Sequence, residues 1–422
     1  MAPRLRPARS GSRPGSRWHL PLLGALLALG ACAAQPQYGT ASPYAPGPGA
    51  LAPAAPEIPR TRVALLLPLS GANAPLGQSM LNAATLALFE QSGPTVEFVP
   101  HDTFGSPGGA SQAARAALDE GARVIVGPLT AGEASGAGAV ARAANVPMLA
   151  FSNDAAVGGR GVWTLGVTPA QQVRRLVAAA ATAGVRRIGL AAPSGAFAQQ
   201  LGAALRSASQ EAGLLAPLIV TYPSGALPAM AAKDFATRVN GPAPDPAAAA
   251  VPGATPVGAA ADPDRGIGML ILGEGGARAR QFAAALPEAG LTIPPLRLAG
   301  TALWAQDSSL AGEPALAGAI FPGPDNIAHA QFEDRYRQAF GETPPRLAAV
   351  AYDAATIAAR AVRGGPGAPA QMPVGDVVLG ADGGLRLLPD GQTQRALAVY
   401  ALQPGTEPRL VEPASIPGAA GS

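Results

Sequence analysis

The chain has 422 residues and 48% hydrophobic content, enough length for two or three domains and enough apolar material for their cores. Its charge of +3 and pI near 9.3 rest on Arg4, Arg6, Arg9, Arg13 and Arg17 in a leader without acids; taking those five away leaves −2, which excludes a polyanion-binding face and nucleic acid as a partner. One cysteine excludes any internal disulfide, so the fold stands on its core.

In chain order, residues 1–31 predict a signal peptide: a basic start, then an apolar run from Leu20 to Gly30. That run, on the order of 10 residues, is too short for a membrane span of about 20, and no later segment is long enough. Leu29-Gly30-Ala31-Cys32 resembles a bacterial lipobox, which makes Cys32 the expected lipidation site and membrane anchor. An incidental cysteine behind an ordinary signal peptide is the alternative. Residues 32–60 are rich in Pro, Ala and Gly and predict a disordered or polyproline II stalk, at about 3.1 Å per residue.

From Arg62 onward, β-rich runs such as "RVALLLPL", "TVEFVPHD", "ARVIVGPL" and "VPMLAFS" alternate with alanine-rich helical runs such as "GASQAARAALDEGA". This alternation predicts an α/β architecture with parallel sheets and right-handed crossovers. Near Thr168-Pro169 the pattern restarts, and "RRIGLAAPSGAFAQQLGAAL" echoes "RVALLLPLSGANAPLGQSML". Two similar lobes are expected, with ligands gathering where the carboxyl ends of their strands face each other. A second Pro/Ala-rich run, residues 240–266, predicts a disordered insertion on a loop, and residues 403–422 predict a flexible tail.

Catalytic and metal signatures are lacking. The histidines are His19, His101 and His329, with no His/Cys cluster at metal-ligand spacing. His101-Asp102 has no placed nucleophile and predicts a surface or loop role for both residues. No Walker loop or G-x-S-x-G occurs. No enzyme activity, cofactor or metal is expected.

The runs "VALLLPLSGANAPLGQSMLNAATLALFE", "HDTFGSPGGASQAARAALDEGARVIVGPLT", "NVPMLAFSND" and "PPRLAAVAYDAATIAAR" resemble type I periplasmic binding proteins of the leucine/isoleucine/valine-binding kind. With "GADGGLRLLPDGQTQRALAVYAL", the chain is similar to the penicillin-binding protein activator (LpoA-like) lipoproteins of that fold. The resemblance implies an α/β type I periplasmic binding fold of two similar lobes joined by a hinge, each a mainly parallel sheet flanked by helices. It places lobe one at residues 61–168 and 324–377, and lobe two at 169–323 and 378–402. It implies a lipoprotein on the periplasmic face of the outer membrane that binds and regulates a peptidoglycan synthase, a penicillin-binding protein. The alternative is a substrate-binding lipoprotein of an ABC importer for amino acids or amides. For a small amino-acid-like ligand, the resemblance carries binding positions onto Ser70, Ser152, Asn153, Phe197 and Glu274. "SND" departs from the usual small-hydroxyl pair, and Phe197 stands where a Tyr is common. Each has a structural alternative: Ser70 with Gly71 as a helix cap, Ser152 with Asn153 as a cap or turn, Phe197 as a core or rim aromatic, and Glu274 as a solvated acid.

Overall fold

The computed structural model describes residues 59–91, 95–241 and 266–416. Cys32, the leader, the stalk and the interior of the 240–266 insertion lie outside the described residues.

β1 (Thr61–Leu67) explains the architecture of the first lobe. Its run "VALLL" is apolar at every position, and both faces are covered. Val63, Leu65 and Leu67 pack with Met80, Ala83 and Ala87 of α1 (Ala74–Gln91). Ala64 and Leu66 pack on the other face against the alanines of α2 (Pro107–Asp119) and α3 (Ala131–Ala144). A strand buried on both sides reads as a continuous apolar run, not an alternating one. With β2 (Val96–Asp102), β3 (Val124–Val126), β4 (Met148–Ala150) and β5 (Val162–Thr164) it forms a parallel sheet in the order β2-β1-β3-β4-β5. The helix starts are chemically specified. Ser106 caps α2 with Pro107 at its first position, and Thr130 and Glu133 form a reciprocal capping box on α3.

α4 (Pro169–Thr182) opens the second lobe, followed by β6 (Ile188–Pro193), α5 (Ala196–Glu211), β7 (Leu218–Tyr222), α6 (Pro228–Asn240), β8 (Met269–Leu272), α7 (Gly276–Ala285), β9 (Arg297–Gly300) and β10 (Ile320–Gly323). The chain then returns to the first lobe for α8 (Asn326–Phe340) and α9 (Ala348–Ala361), whose Phe332, Tyr336, Ala355 and Ile357 share the core of Val63 and Leu65. A small antiparallel sheet of β11 (Val377–Gly380), β12 (Gly383–Leu387) and β13 (Thr393–Arg395) comes next, before β14 (Leu397–Gln403) and β15 (Thr406–Ser415) complete the second sheet. Its order is β15-β14-β10-β9-β8-β6-β7, with β14 antiparallel to both neighbours. β6 thus takes the place in its sheet that β1 takes in the first, as the echo of their sequences predicts.

Two boundaries are corrected. Val378, Leu385 and Leu387 pack into the first-lobe core, so residues 378–395 belong with the first lobe and the last crossing falls at Ala396, not before residue 378. Much of the expected tail is β15, an edge strand pinned by the 2.6 Å ion pair of Arg175 and Glu412. Pro408 and Pro413 hid it, because proline argues against an interior strand yet is tolerated on an edge.

The three crossings are tied together by buried charge. Arg395 donates through Nε to the Leu165 carbonyl at 2.6 Å and pairs through Nη1 with Asp353 of α9 at 2.8 Å. Asp353 also accepts the Ala381 amide at 2.6 Å, while the Asp325 amide donates to the Asp382 carbonyl at 3.3 Å. Burial pushes the Asp353 carboxyl up to about 6, with Arg395 opposing and the charge of Asp382 adding to the rise.

Candidate functional site

The expected ligand positions lie at strand ends, and most are engaged within their own lobes. Ser70 sits in the turn after β1, but α1 begins only at Ala74, too far on for Ser70 to cap it. The organiser of the turn is Asp102, the last residue of β2. Its Oδ1 accepts the amides of Leu69 at 3.0 Å and Phe104 at 2.8 Å, and the Ser70 hydroxyl bonds to the same carboxylate. Desolvation works to raise the Asp102 carboxyl, but these hydrogen bonds outweigh it and hold it below its ordinary value. Asp102 is therefore a structural anchor and not a loop residue. Gly77 completes the turn, since a Cβ there would meet the Pro68 carbonyl oxygen at 2.1 Å.

Ser152, buried after β4, accepts the Asp154 amide at 3.0 Å, while Asn153 is exposed. Asp154 then reaches across the lobes: its Oδ1 accepts Gln200 Nε2 of α5 at 3.3 Å. The loop after β4 and the first turns of α5 are thus brought together, but Phe197 is half-buried against the second-lobe core of Val173, Leu176 and Leu201. Glu274 follows β8 and is buried, so it is not a solvated acid. Its Oε1 pairs with Arg278 at 2.7 Å, and its carbonyl accepts Trp304 Nε1 at 2.7 Å. Burial, and then the charge of Glu274, push the neighbouring Tyr222 hydroxyl far up. None of the five positions lines the recess described next.

A different recess, of about 1120 Å³, spans the lobe boundary. The second lobe supplies Arg280 of α7, the segment 304–309, and Phe321 and Tyr400 of β10 and β14. From the first lobe come His329 and Glu333 of α8 and Arg346 of the turn before α9. Its aromatic floor is ordered: Phe321 stacks on Tyr400 with centroids 5.7 Å apart, and the Tyr400 hydroxyl donates to the Pro324 carbonyl at 2.8 Å. His329 lies between carboxylates, with Nδ1 2.7 Å from Asp382 and Nε2 3.1 Å from Glu333. Burial tends to raise the Asp382 carboxyl, but His329, Arg395 and Arg346 hold it down. With both ring nitrogens engaged, His329 has none free to act as a base toward Ser308 or Ser309 on the same wall. Among the described residues no group of three or more His, Cys, Asp or Glu is placed to hold a metal ion, and no helix is long and apolar enough to cross a membrane. This arrangement can bind and orient a solute.

The sequence missed Arg280, Arg346 and Asp102 as organising residues. Only "PPRLAAV", an arginine at the mouth of an apolar helix, carries a local signal for one of them.

A family model described as periplasmic binding protein matches residues 60–376. No curated protein matches the chain. Among solved structures, a protein described as a branched-chain amino acid ABC transporter from Rhodospirillum rubrum is 20% identical, with a TM-score of 0.68 over 83% of this chain and 100% of that one. A solute-binding protein of an ABC transporter from R. palustris, in complex with benzoate, is 19% identical, with a TM-score of 0.55 over 86% and 99%. A leucine-binding protein from Thermotoga maritima is 18% identical, with a TM-score of 0.55 over 84% and 98%. At these identities the likeness shows the fold.

Proposed function

We propose that this chain, which belongs to the periplasmic binding protein family, is a non-enzymatic solute receptor that holds a small ligand between its lobes for an ABC importer. The observation that carries this role is the recess of about 1120 Å³, walled by both lobes and floored by Phe321 and Tyr400. Small-molecule sites are concave and carry convergent polar groups, and here polar and charged side chains from both lobes surround the two aromatic rings. The structural neighbours support the same role, since they include proteins that bind leucine and benzoate. The test is thermal denaturation of the protein with amino acids and with aromatic acids at millimolar concentration. A ligand at about 100 times its Kd stabilises by about 2.7 kcal/mol, so a rise of several degrees is expected. No shift with any member of either panel contradicts the role.

A second role, binding and regulating a penicillin-binding protein, is favoured by one observation. Ser70, Ser152 and Phe197 are engaged within their own lobes, which counts against the amino-acid clamp the resemblance implies. Crosslinking in cell envelopes separates the two: a permease supports the receptor, a peptidoglycan synthase the regulator. With the regulator role we place the protein on the periplasmic face of the outer membrane through lipid on Cys32. Retention of Cys32→Ser in the membrane fraction, without labelled palmitate, contradicts that anchor.

A further inference from the structure

His329 of α8 is buried, and a carboxylate oxygen faces each of its ring nitrogens: Asp382 Oδ1 lies 2.7 Å from Nδ1 and Glu333 Oε1 3.1 Å from Nε2. A neutral imidazole carries one N–H and donates once, whereas the imidazolium carries two and donates twice. Both contacts are therefore hydrogen bonds only when the ring is the cation.

The two carboxylates differ in what they can do without the ring. Asp382, in the turn between β11 and β12, is buried; burial tends to raise its carboxyl, yet the bond from His329 and the charges of Arg395, His329 and Arg346 hold it below its ordinary value. Taking Nδ1–H away would leave a buried charge one partner short. Glu333 stands one turn along α8 from His329, and its side chain is 31% exposed on the wall of the recess, so water can replace the ring as its partner. A ring with a single proton thus keeps it on Nδ1. Nε2 then turns a lone pair toward Glu333, and the two acceptors repel.

The surrounding charges leave that contact to the ring. Arg395 of β13 is paired with Asp353 of α9 at 2.8 Å, and Asp325 caps the start of α8. Tyr400 of β14 accepts the Asn326 amide at 3.2 Å. Arg346 before α9, Arg280 of α7 and Glu407 line the recess, and among the described residues Glu333 has no ion-pair partner but His329.

We infer that the contact of His329 with Glu333 is a proton-dependent catch: the imidazolium holds Glu333 against the ring, and loss of the Nε2 proton to solvent frees the Glu333 carboxylate into the recess. The pair goes from neutral to a net charge of −1, so the bond is present at low pH and lost as pH rises. The wall then becomes poorer for an anion and better for a cation. That consequence for a ligand rests on the solute-receptor role, while the catch itself does not.

Asp353, whose carboxyl burial pushes up to about 6, takes up a proton in the same range, so the ring itself has to be read. The test is proton and nitrogen NMR of the ligand-free protein with isotope-labelled histidine between about pH 5 and 9, a span that covers the range in which imidazoles ordinarily change charge. His329→Gln identifies the lines, against those of His19 and His101. At the acid end both ring N–H protons of His329 should be visible, and toward the alkaline end Nε2 should lose its proton while Nδ1 keeps its own. In Glu333→Ala at the acid end, the Nε2 proton should exchange with water on the order of tenfold faster and the Nδ1 proton at its former rate. A ring that is neutral throughout, keeps both protons throughout, or gives up the Nδ1 proton first overturns the catch. Equal acceleration of both protons in Glu333→Ala overturns it as well. The wild-type series needs neither a ligand nor that variant, so the catch can fail with the receptor role standing, and the receptor role can fail in ligand titrations with the catch standing.

Discussion

The turn after β1 and the recess beside α8 differ in one physical respect: whether their polar groups already have partners. In the turn, Asp102 gathers two amides and the Ser70 hydroxyl, so the residues that resemble a ligand clamp hold the chain in place. In the recess, Arg280 and Arg346 keep buried donors with no acceptor. Residue type at a familiar position is thus a weak guide to binding where packing has already engaged the group.

Truncating a partnered group should cost stability, and truncating an unpartnered one should cost only ligand. The largest effect is expected at the crossings. Arg395→Ala leaves Asp353 buried without its cation and should lower unfolding free energy by about 3–5 kcal/mol in denaturant titrations. Asp102→Ala strands the amides of Leu69 and Phe104 and should cost about 1–3 kcal/mol, with Ser70→Ala costing less. At the other extreme, Arg280→Gln removes no hydrogen bond or ion pair among the described residues and should stay within about 0.5 kcal/mol of wild type.

Dependence on pH sharpens the contrast, because the two aspartates shift in opposite directions. Asp353 has its folded pKa raised to about 6, so the folded state takes up its proton first. Its contribution to stability therefore rises as pH falls from about 6 towards about 4. Asp102 is depressed, so the stability it supplies is present above its unfolded value and lost as pH falls through the folded one. Stability profiles of Asp353→Asn and Asp102→Asn should remove these opposite slopes. A common slope in both would contradict the assignment.

Much of the fold was legible because its signals are local. The apolar run of β1 and the repeat of the β1 pattern at β6 each occupy a few neighbouring residues. The last crossing was not legible, since β11 and β12 carry ordinary alternating patterns that suit either lobe, and only the contacts of Val378 and Leu385 decide. β15 was concealed by its prolines. The site was less readable still. Ser70 is engaged by a residue 32 positions away and Arg395 by one 42 positions away, pairings with no local signature. Arg280 and Arg346 come to one recess from different lobes, which only packing reveals.

The central claim is that ligand is held in the recess and not at the turn after β1. The most direct measurement is a binding isotherm for the tightest ligand in the acid and amino-acid panels, taken on two double variants. Ser70→Ala/Glu274→Ala should bind within about threefold of wild type, a difference of about 0.6 kcal/mol. Arg280→Gln/Arg346→Gln should lose binding by two orders of magnitude or more, about 2.8 kcal/mol. The reverse pattern, with affinity lost in the first pair and kept in the second, would return the site to the strand ends and contradict the account.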